Sequence, residues 1–116
     1  MANVLVLAED VCVGFTCAEV LRCSGFQASV GAWPAGVGAS VRPDIILAWD
    51  ASESTARLIH AAHRGVPLLI CAWPHHPDCP RGAGLIPLPF NTERVAHALT
   101  QTLRRAESSA PSPRAA

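Results

Sequence analysis

The sequence predicts an α/β domain in which five parallel strands form one sheet with helices on both faces. Short aliphatic runs alternate with stretches of helical periodicity, and the connections between them are short. Half of the 116 residues are hydrophobic and only 16% are charged, which provides enough apolar surface for a core. Strands that alternate with helices are joined by right-handed crossovers and therefore lie parallel. The most economical order for five such strands is 2-1-3-4-5.

Three strands and one helix are predicted in the first half of the chain. The aliphatic runs Asn3–Leu7 and Ile45–Trp49 are typical of strands that are buried on both faces. Residues 11–24 have apolar side chains at helical spacing and are followed by Gly25, a common helix stop. The short alternating run 26–30 predicts the strand that follows this helix.

Two strands and two helices are predicted in the second half. Ser52 has a side chain suited to cap a helix over residues 55–63. The apolar runs 66–72 and 84–87 predict the fourth and fifth strands. Asn91 is suited to cap the last helix, whose apolar residues share one face.

The chain divides into one domain, residues 1–105, and a tail, residues 106–116. The last helix keeps its apolar face to about Arg105, whereas the tail is rich in Pro, Ser and Ala, so we expect it to be disordered. Residues 73–83 contain three prolines and a glycine, which exclude a stable helix there. The helix between the fourth and fifth strands is therefore reduced or missing in an otherwise flavodoxin-like sandwich of three layers.

The composition excludes several classes of function. The net charge is zero, and both lysine and tyrosine are absent. The composition therefore indicates no surface that binds nucleic acid. No apolar run is long enough to cross a bilayer. The first residues lack the basic segment of a signal peptide, so we expect a cytoplasmic protein. Five cysteines, an odd number, are then expected to be reduced thiols.

No metal or cofactor is predicted. Residues 73–79 bring several metal-ligating side chains together, but they lack a second set of ligands and are too close for one tetrahedral site. We interpret this stretch as an exposed polar loop. Its ligand-type residues are His75, His76, Asp78 and Cys79.

Five segments, in the right order over roughly residues 3–105, resemble the receiver domain of bacterial response regulators. A hydrophobic strand that ends in acidic residues comes first, and Gly25–Phe26 opens the second strand as in that family. The other segments open the third strand, form the fourth, and stand in place of the family's Lys-Pro-Phe and last helix. In one-letter code the segments are VLVLAED, GF, PDIIL, VPLLICA and LPFNTERV. The resemblance implies a CheY-like fold and a role in two-component signalling.

The resemblance also implies that the family's phosphate-handling positions are substituted. A working receiver carries a phosphate-accepting Asp at the end of the third strand, a hydroxyl after the fourth and a Lys after the fifth. Counted from Pro43–Asp44, the acceptor position holds Trp49, and Asp50 follows one residue later. The hydroxyl position holds Ala72 and the lysine position holds Leu88. The chain has no lysine that could replace the missing one.

The acidic pair that holds Mg²⁺ in the family is altered as well. It becomes Ala8–Glu9, and Asp10 follows it. We interpret Glu9, Asp10 and Asp50 as a solvated acidic rim; a weak divalent-cation site is the alternative. Successive residues of a strand face opposite sides, so Asp50 replaces the acceptor only if the strand ends early.

We therefore expect a degenerate receiver, or pseudo-receiver, that regulates by protein contact without accepting phosphate and is not an enzyme. The candidate contact residues are Trp73, Trp33 and Phe90, because aromatic side chains at a surface are good protein anchors. Trp73 is the first choice because it follows the fourth strand, at the rim of the crevice. The expected partner is a protein of bacterial signalling or transcription machinery, and the resemblance adds a homodimer as a further expectation.

Two alternatives remain open. In the first, Asp50 retains phosphoacceptor activity. In the second, the same flavodoxin-like fold binds a small molecule or catalyses a reaction. Glu9 and Asp10 argue against a flavin, because two carboxylates directly after the first strand repel phosphate. The resemblance also predicts a cis peptide bond at Leu88–Pro89, since X-Pro bonds tolerate that isomer.

Overall fold

The computed structural model describes residues 2–36, 42–73, 83–88 and 90–109. Within these ranges, five parallel strands form one sheet that three helices cover. The strands are β1 (Asn3–Leu7), β2 (Gln27–Val30), β3 (Ile45–Trp49), β4 (Leu68–Ala72) and β5 (Ala83–Pro87). The helices are α1 (Val11–Cys23), α2 (Glu53–Ala62) and α3 (Thr92–Ser109). The strand order β2-β1-β3-β4-β5 confirms the predicted fold class.

The helices begin and end at residues whose chemistry favours a helix terminus. The carboxylate of Asp10 accepts a hydrogen bond of 2.9 Å from the N–H two residues later, at the start of α1. Ser52 and Asn91 accept bonds of 3.2 and 3.1 Å from the N–H three residues later, which confirms both predicted caps. Gly25 follows α1 with φ +94°, a left-handed conformation that stops a helix.

The sheet separates two hydrophobic cores, because successive residues of a strand face opposite sides. Leu47 faces α1 and α3, and it packs in one core with Leu21 and Leu99 from those helices. Ile46 faces α2, and it packs in the other core with Ile59. The same alternation directs the side chain of Trp49 toward α1 and α3.

The last helix is longer than the sequence predicts. α3 continues past Arg105 to Ser109, so residues 106–109, which we assigned to the tail, are helical. Ala106 and Glu107 are good helix formers, and the first residue that breaks a helix is Pro111. The helix therefore extends after its apolar face has ended.

Several predictions lie outside the described residues. They concern the reduced helix and the His75, His76, Asp78 and Cys79 loop, the cis peptide bond at Leu88–Pro89, and the disordered tail from residue 110 onward. Among the described helices, none combines the length and the apolar character needed to cross a membrane.

Candidate functional site

The residues that follow the carboxyl ends of β1, β3, β4 and β5 meet at one end of the sheet, which we call the carboxyl edge. In parallel α/β sheets this edge is where ligands bind and reactions occur. The predicted acidic rim and the substituted positions all lie at or beside it. The residues concerned are Glu9, Asp10, Trp49, Asp50, Ala72, Trp73 and Leu88.

Trp49, at the predicted acceptor position, is the last residue of β3 and lies partly within the core. Its ring stacks on Phe90, with ring centroids 5.5 Å apart and an interplanar angle of 19°. The indole nitrogen is buried and makes no hydrogen bond of normal geometry to the described residues. A largely apolar ring therefore lies at the position that the sequence resemblance predicts for the phosphate-accepting carboxylate.

Asp50 lies just beyond the strand and is exposed. Its φ of +48° is left-handed, a conformation that aspartate tolerates better than most residues. Its N–H donates a hydrogen bond of 2.8 Å to the carbonyl oxygen of Cys71, which keeps its backbone on the sheet. The strand ends at Trp49, so the strict alternation of the strand no longer fixes the direction of the Asp50 side chain.

The positions at which the resemblance predicts the family's hydroxyl and lysine lie next to each other. Ala72 is buried, and its carbonyl oxygen accepts a hydrogen bond of 2.9 Å from the Leu88 N–H. The half-buried Leu88 side chain packs against the core shared with α1 and α3. Neither side chain can bond to or neutralise a phosphoryl oxygen.

The two acids after β1 have different surroundings. Glu9 is exposed, whereas the carboxylate of Asp10 is engaged as the cap of α1 through the N–H groups of Cys12 and Val13. Within the described ranges, no group of three or more His, Cys, Asp or Glu residues could hold a metal ion.

The three predicted contact aromatics differ in exposure. Trp73 is 52% exposed at the carboxyl end of β4. Trp33 is half-buried and packs against the core beneath α2. Phe90 is half-buried against Trp49. Trp73 is therefore the most accessible of the three.

An apolar pocket of about 370 Å³ opens between α1 and the Trp49–Phe90 pair, and sequence analysis missed it. The helical spacing of apolar residues over 11–24 comes from Val13, Cys17, Val20 and Leu21, but of these four Val13 and Val20 are only half-buried. These two valines lie on the side of the apolar face of α1 that is partly open to solvent. We call this cavity the aromatic pocket; its lining residues are Cys12, Val13, Thr16, Cys17, Val20, Trp49 and Phe90.

Two buried thiols lie in the core beside the pocket. Burial, together with a smaller contribution from the nearby Cys17, raises the pKa of the Cys71 thiol to about 12. Burial also raises the pKa of Cys17, and the Trp49 indole opposes that rise only in part. Cys12 and Cys23, by contrast, are exposed on α1.

Solved structures of receiver domains share this fold. The chain superposes on a CheY-like receiver domain protein from Methanospirillum hungatei with a TM-score of 0.74, at 13% identity, over 95% of this chain and 99% of that one. A receiver domain protein from Clostridium thermocellum gives a TM-score of 0.76 at 13% identity, over 92% and 98% of the two chains.

NtrX from Brucella abortus, solved in complex with ATP, is similar over only part of its length. Its TM-score is 0.76 at 18% identity, over 91% of this chain and 28% of NtrX. No protein-family model and no curated protein matches the sequence. The class that these similarities define is therefore a class of fold, the CheY-like receiver fold.

Proposed function

We propose that this domain is a receiver-like regulatory module that works through protein contact and does not accept phosphate. The observation that carries the proposal is the Trp49–Phe90 stack at the acceptor position. The receiver fold supports a role in two-component signalling, and the substituted carboxyl edge supports independence from phosphorylation.

Phosphoryl transfer to a receiver requires a carboxylate, a bound Mg²⁺ and compensation of charge on the phosphoryl oxygens. Here the acceptor position is apolar, Asp10 is engaged as a helix cap, and the cation position holds Leu88. Electrostatic stabilisation is usually the largest contribution to such a reaction, so its loss removes most of the catalytic advantage. The acidic residues that remain make a solvated rim.

Trp73 is the residue that we assign to partner contact. Its exposed indole lies at the carboxyl edge, beside the positions that handle phosphate in receivers. A large aromatic side chain that a partner desolvates contributes on the order of 2 kcal/mol to binding.

Leu58 on α2 offers a matched control, because it is 53% exposed and Trp73 is 52% exposed. Partners are captured from extracts of the native host on wild-type protein, Trp73→Ala and Leu58→Ala, and the affinity of each identified partner is then measured with purified proteins. We expect Trp73→Ala to weaken binding roughly thirtyfold and Leu58→Ala to have little effect. Mg²⁺ with acetyl phosphate should leave both affinities unchanged. Binding that survives Trp73→Ala, or that requires the phosphate donor, would contradict the proposal.

A further inference from the structure

The aromatic pocket has the shape and lining of a binding site for a small molecule. Successive turns of α1 form one wall with the side chains of Val13, Thr16 and Val20. The stacked Trp49 and Phe90 rings form the opposite wall. Both walls are part of the folded domain, because one is a regular helix and the other is a ring pair that packs against the core. Binding to a site that is already formed costs little ordering entropy, and this favours binding.

The volume of the pocket limits the size of its occupant. At about 370 Å³ it lies near the lower end of the range in which proteins bind small molecules. An apolar cavity of about 150 Å³ accepts benzene in another protein, so this pocket has room for two fused rings. It is too small for a helix of a partner protein, whose diameter with side chains is about 10 Å.

The lining also limits the chemistry of the occupant. No lining residue carries a formal charge at neutral pH, and the polar groups are the Thr16 hydroxyl, the thiols of Cys12 and Cys17, and the buried Trp49 indole N–H. A phosphate or carboxylate inside the pocket would lose its hydration without an opposite charge. Aromatic rings, by contrast, would stack on the Trp49–Phe90 pair with a favourable geometry.

We propose that the aromatic pocket binds a neutral, flat and largely apolar small molecule about the size of a two-ring aromatic compound. Its polar atoms lie at the mouth, where Cys12 and Thr16 are exposed. This proposal is independent of the protein contact at Trp73. A ligand in the pocket contacts Trp49, which also lies at the carboxyl edge. Ligand binding can therefore act as a regulatory signal to that edge.

The probe for the test is 2-naphthol, titrated into ¹⁵N-labelled full-length protein and followed by NMR. The indole N–H signals of the three tryptophans are separate reporters, assigned by replacing each with phenylalanine. We expect a saturable shift of the Trp49 indole and of the Val13, Thr16 and Val20 amides. The Trp33 and Trp73 indoles should not move. Absence of a saturable shift at Trp49, or equal shifts at all three indoles, would overturn the proposal.

Two valines of α1 provide a matched pair of variants. Val13 lines the pocket, whereas Val11 is 60% exposed and lies outside it. Val13→Phe fills the pocket and should weaken 2-naphthol binding at least about tenfold, while Val11→Phe should change it less than about twofold. If Val13→Phe does not fold, Val20→Phe fills the same pocket from the next turn. Unchanged affinity in a folded pocket-filling variant would contradict the proposal.

Thiol protection tests the same site without any substitution. Cys12 lines the pocket and Cys23 lies at the far end of α1, and both thiols are exposed. Saturating 2-naphthol should slow the alkylation of Cys12 by iodoacetamide several-fold and leave Cys23 unchanged, as read by mass spectrometry of peptides. Equal rates at Cys12 with and without the probe would count against the proposal.

The required absence of charge is tested with 2-naphthyl phosphate, which has the same rings. We expect it to bind at least about tenfold more weakly than 2-naphthol, because its phosphate has no cation in the lining. Tighter binding of the phosphate ester would overturn the assignment of a neutral ligand.

Discussion

The interior of the sheet and its carboxyl edge resemble the receiver pattern to different extents. In the interior, β1, β3 and β4 carry continuous aliphatic runs that are fully buried between two cores. At the carboxyl edge lie Trp49, Ala72 and Leu88, the residues that the sequence resemblance predicts at the positions of the receiver's chemically active side chains. The comparison teaches that the apolar pattern alone maintains this fold. The residues of the site can change while the fold stays the same.

The largest expected difference between the two regions is in stability. Leu47 is fully buried in β3, so Leu47→Ala should lower the free energy of unfolding by about 3 kcal/mol through lost burial and the cavity it leaves. Glu9 is exposed at the carboxyl edge, and Glu9→Ala should change the free energy of unfolding by less than about 0.5 kcal/mol. Urea unfolding of both variants measures the contrast. A similar cost for both would remove the distinction between core and edge.

The buried thiols of the interior predict a second property of this region, a loss of stability at alkaline pH. Below pH 9 the Cys71 thiol is neutral in both the folded and the unfolded chain, so its contribution to stability is complete. As the pH rises from 9 toward 12, the unfolded chain releases a proton that the folded chain retains. The free energy of unfolding should therefore fall by up to about 1.4 kcal/mol per pH unit for this thiol.

The composition makes that experiment specific. The chain has no lysine and no tyrosine, so cysteine thiols are the side chains that titrate between pH 9 and 12. Cys71→Ala should reduce the fall in stability with pH and leave only the part that comes from the raised pKa of Cys17, whereas Cys23→Ala, at an exposed thiol, should leave the slope unchanged. A slope as steep in Cys71→Ala as in the wild-type chain would show that Cys71 is not the source.

A smaller effect tests the assignment of Asp10 as a helix cap. Asp10→Ala removes the acceptor for two backbone N–H groups and should cost about 1 kcal/mol of unfolding free energy. Asp10→Asn keeps an acceptor and should cost much less. Added Mg²⁺ should stabilise none of these proteins. Stabilisation by Mg²⁺ that depends on Asp10 would instead indicate the weak divalent-cation site.

The sequence predicts the interior of this fold better than its edge. β1 and β3 begin and end at the predicted residues, because a strand buried on both faces is a continuous aliphatic run. The caps at Ser52 and Asn91 are local chemistry and were equally predictable. The full length of α3 was not, because its last turn has no apolar face.

The aromatic pocket could not be derived from periodicity. The spacing of Val13, Cys17 and Val20 identifies one face of α1, but not whether a neighbouring element covers all of it. That depends on the distance between α1 and the Trp49–Phe90 pair, which packing sets. The left-handed backbone of Asp50 is likewise a property of the strand end and not of the aliphatic run before it.

The measurement that tests the central claim most directly is the intact mass of the protein after incubation with acetyl phosphate and Mg²⁺. The apolar acceptor position and the absence of a lysine predict no gain in mass for the wild-type chain. Asp50→Asn should give the same spectrum. A stoichiometric gain of one phosphoryl group that is lost in Asp50→Asn would contradict the account and show that the carboxyl edge still accepts phosphate.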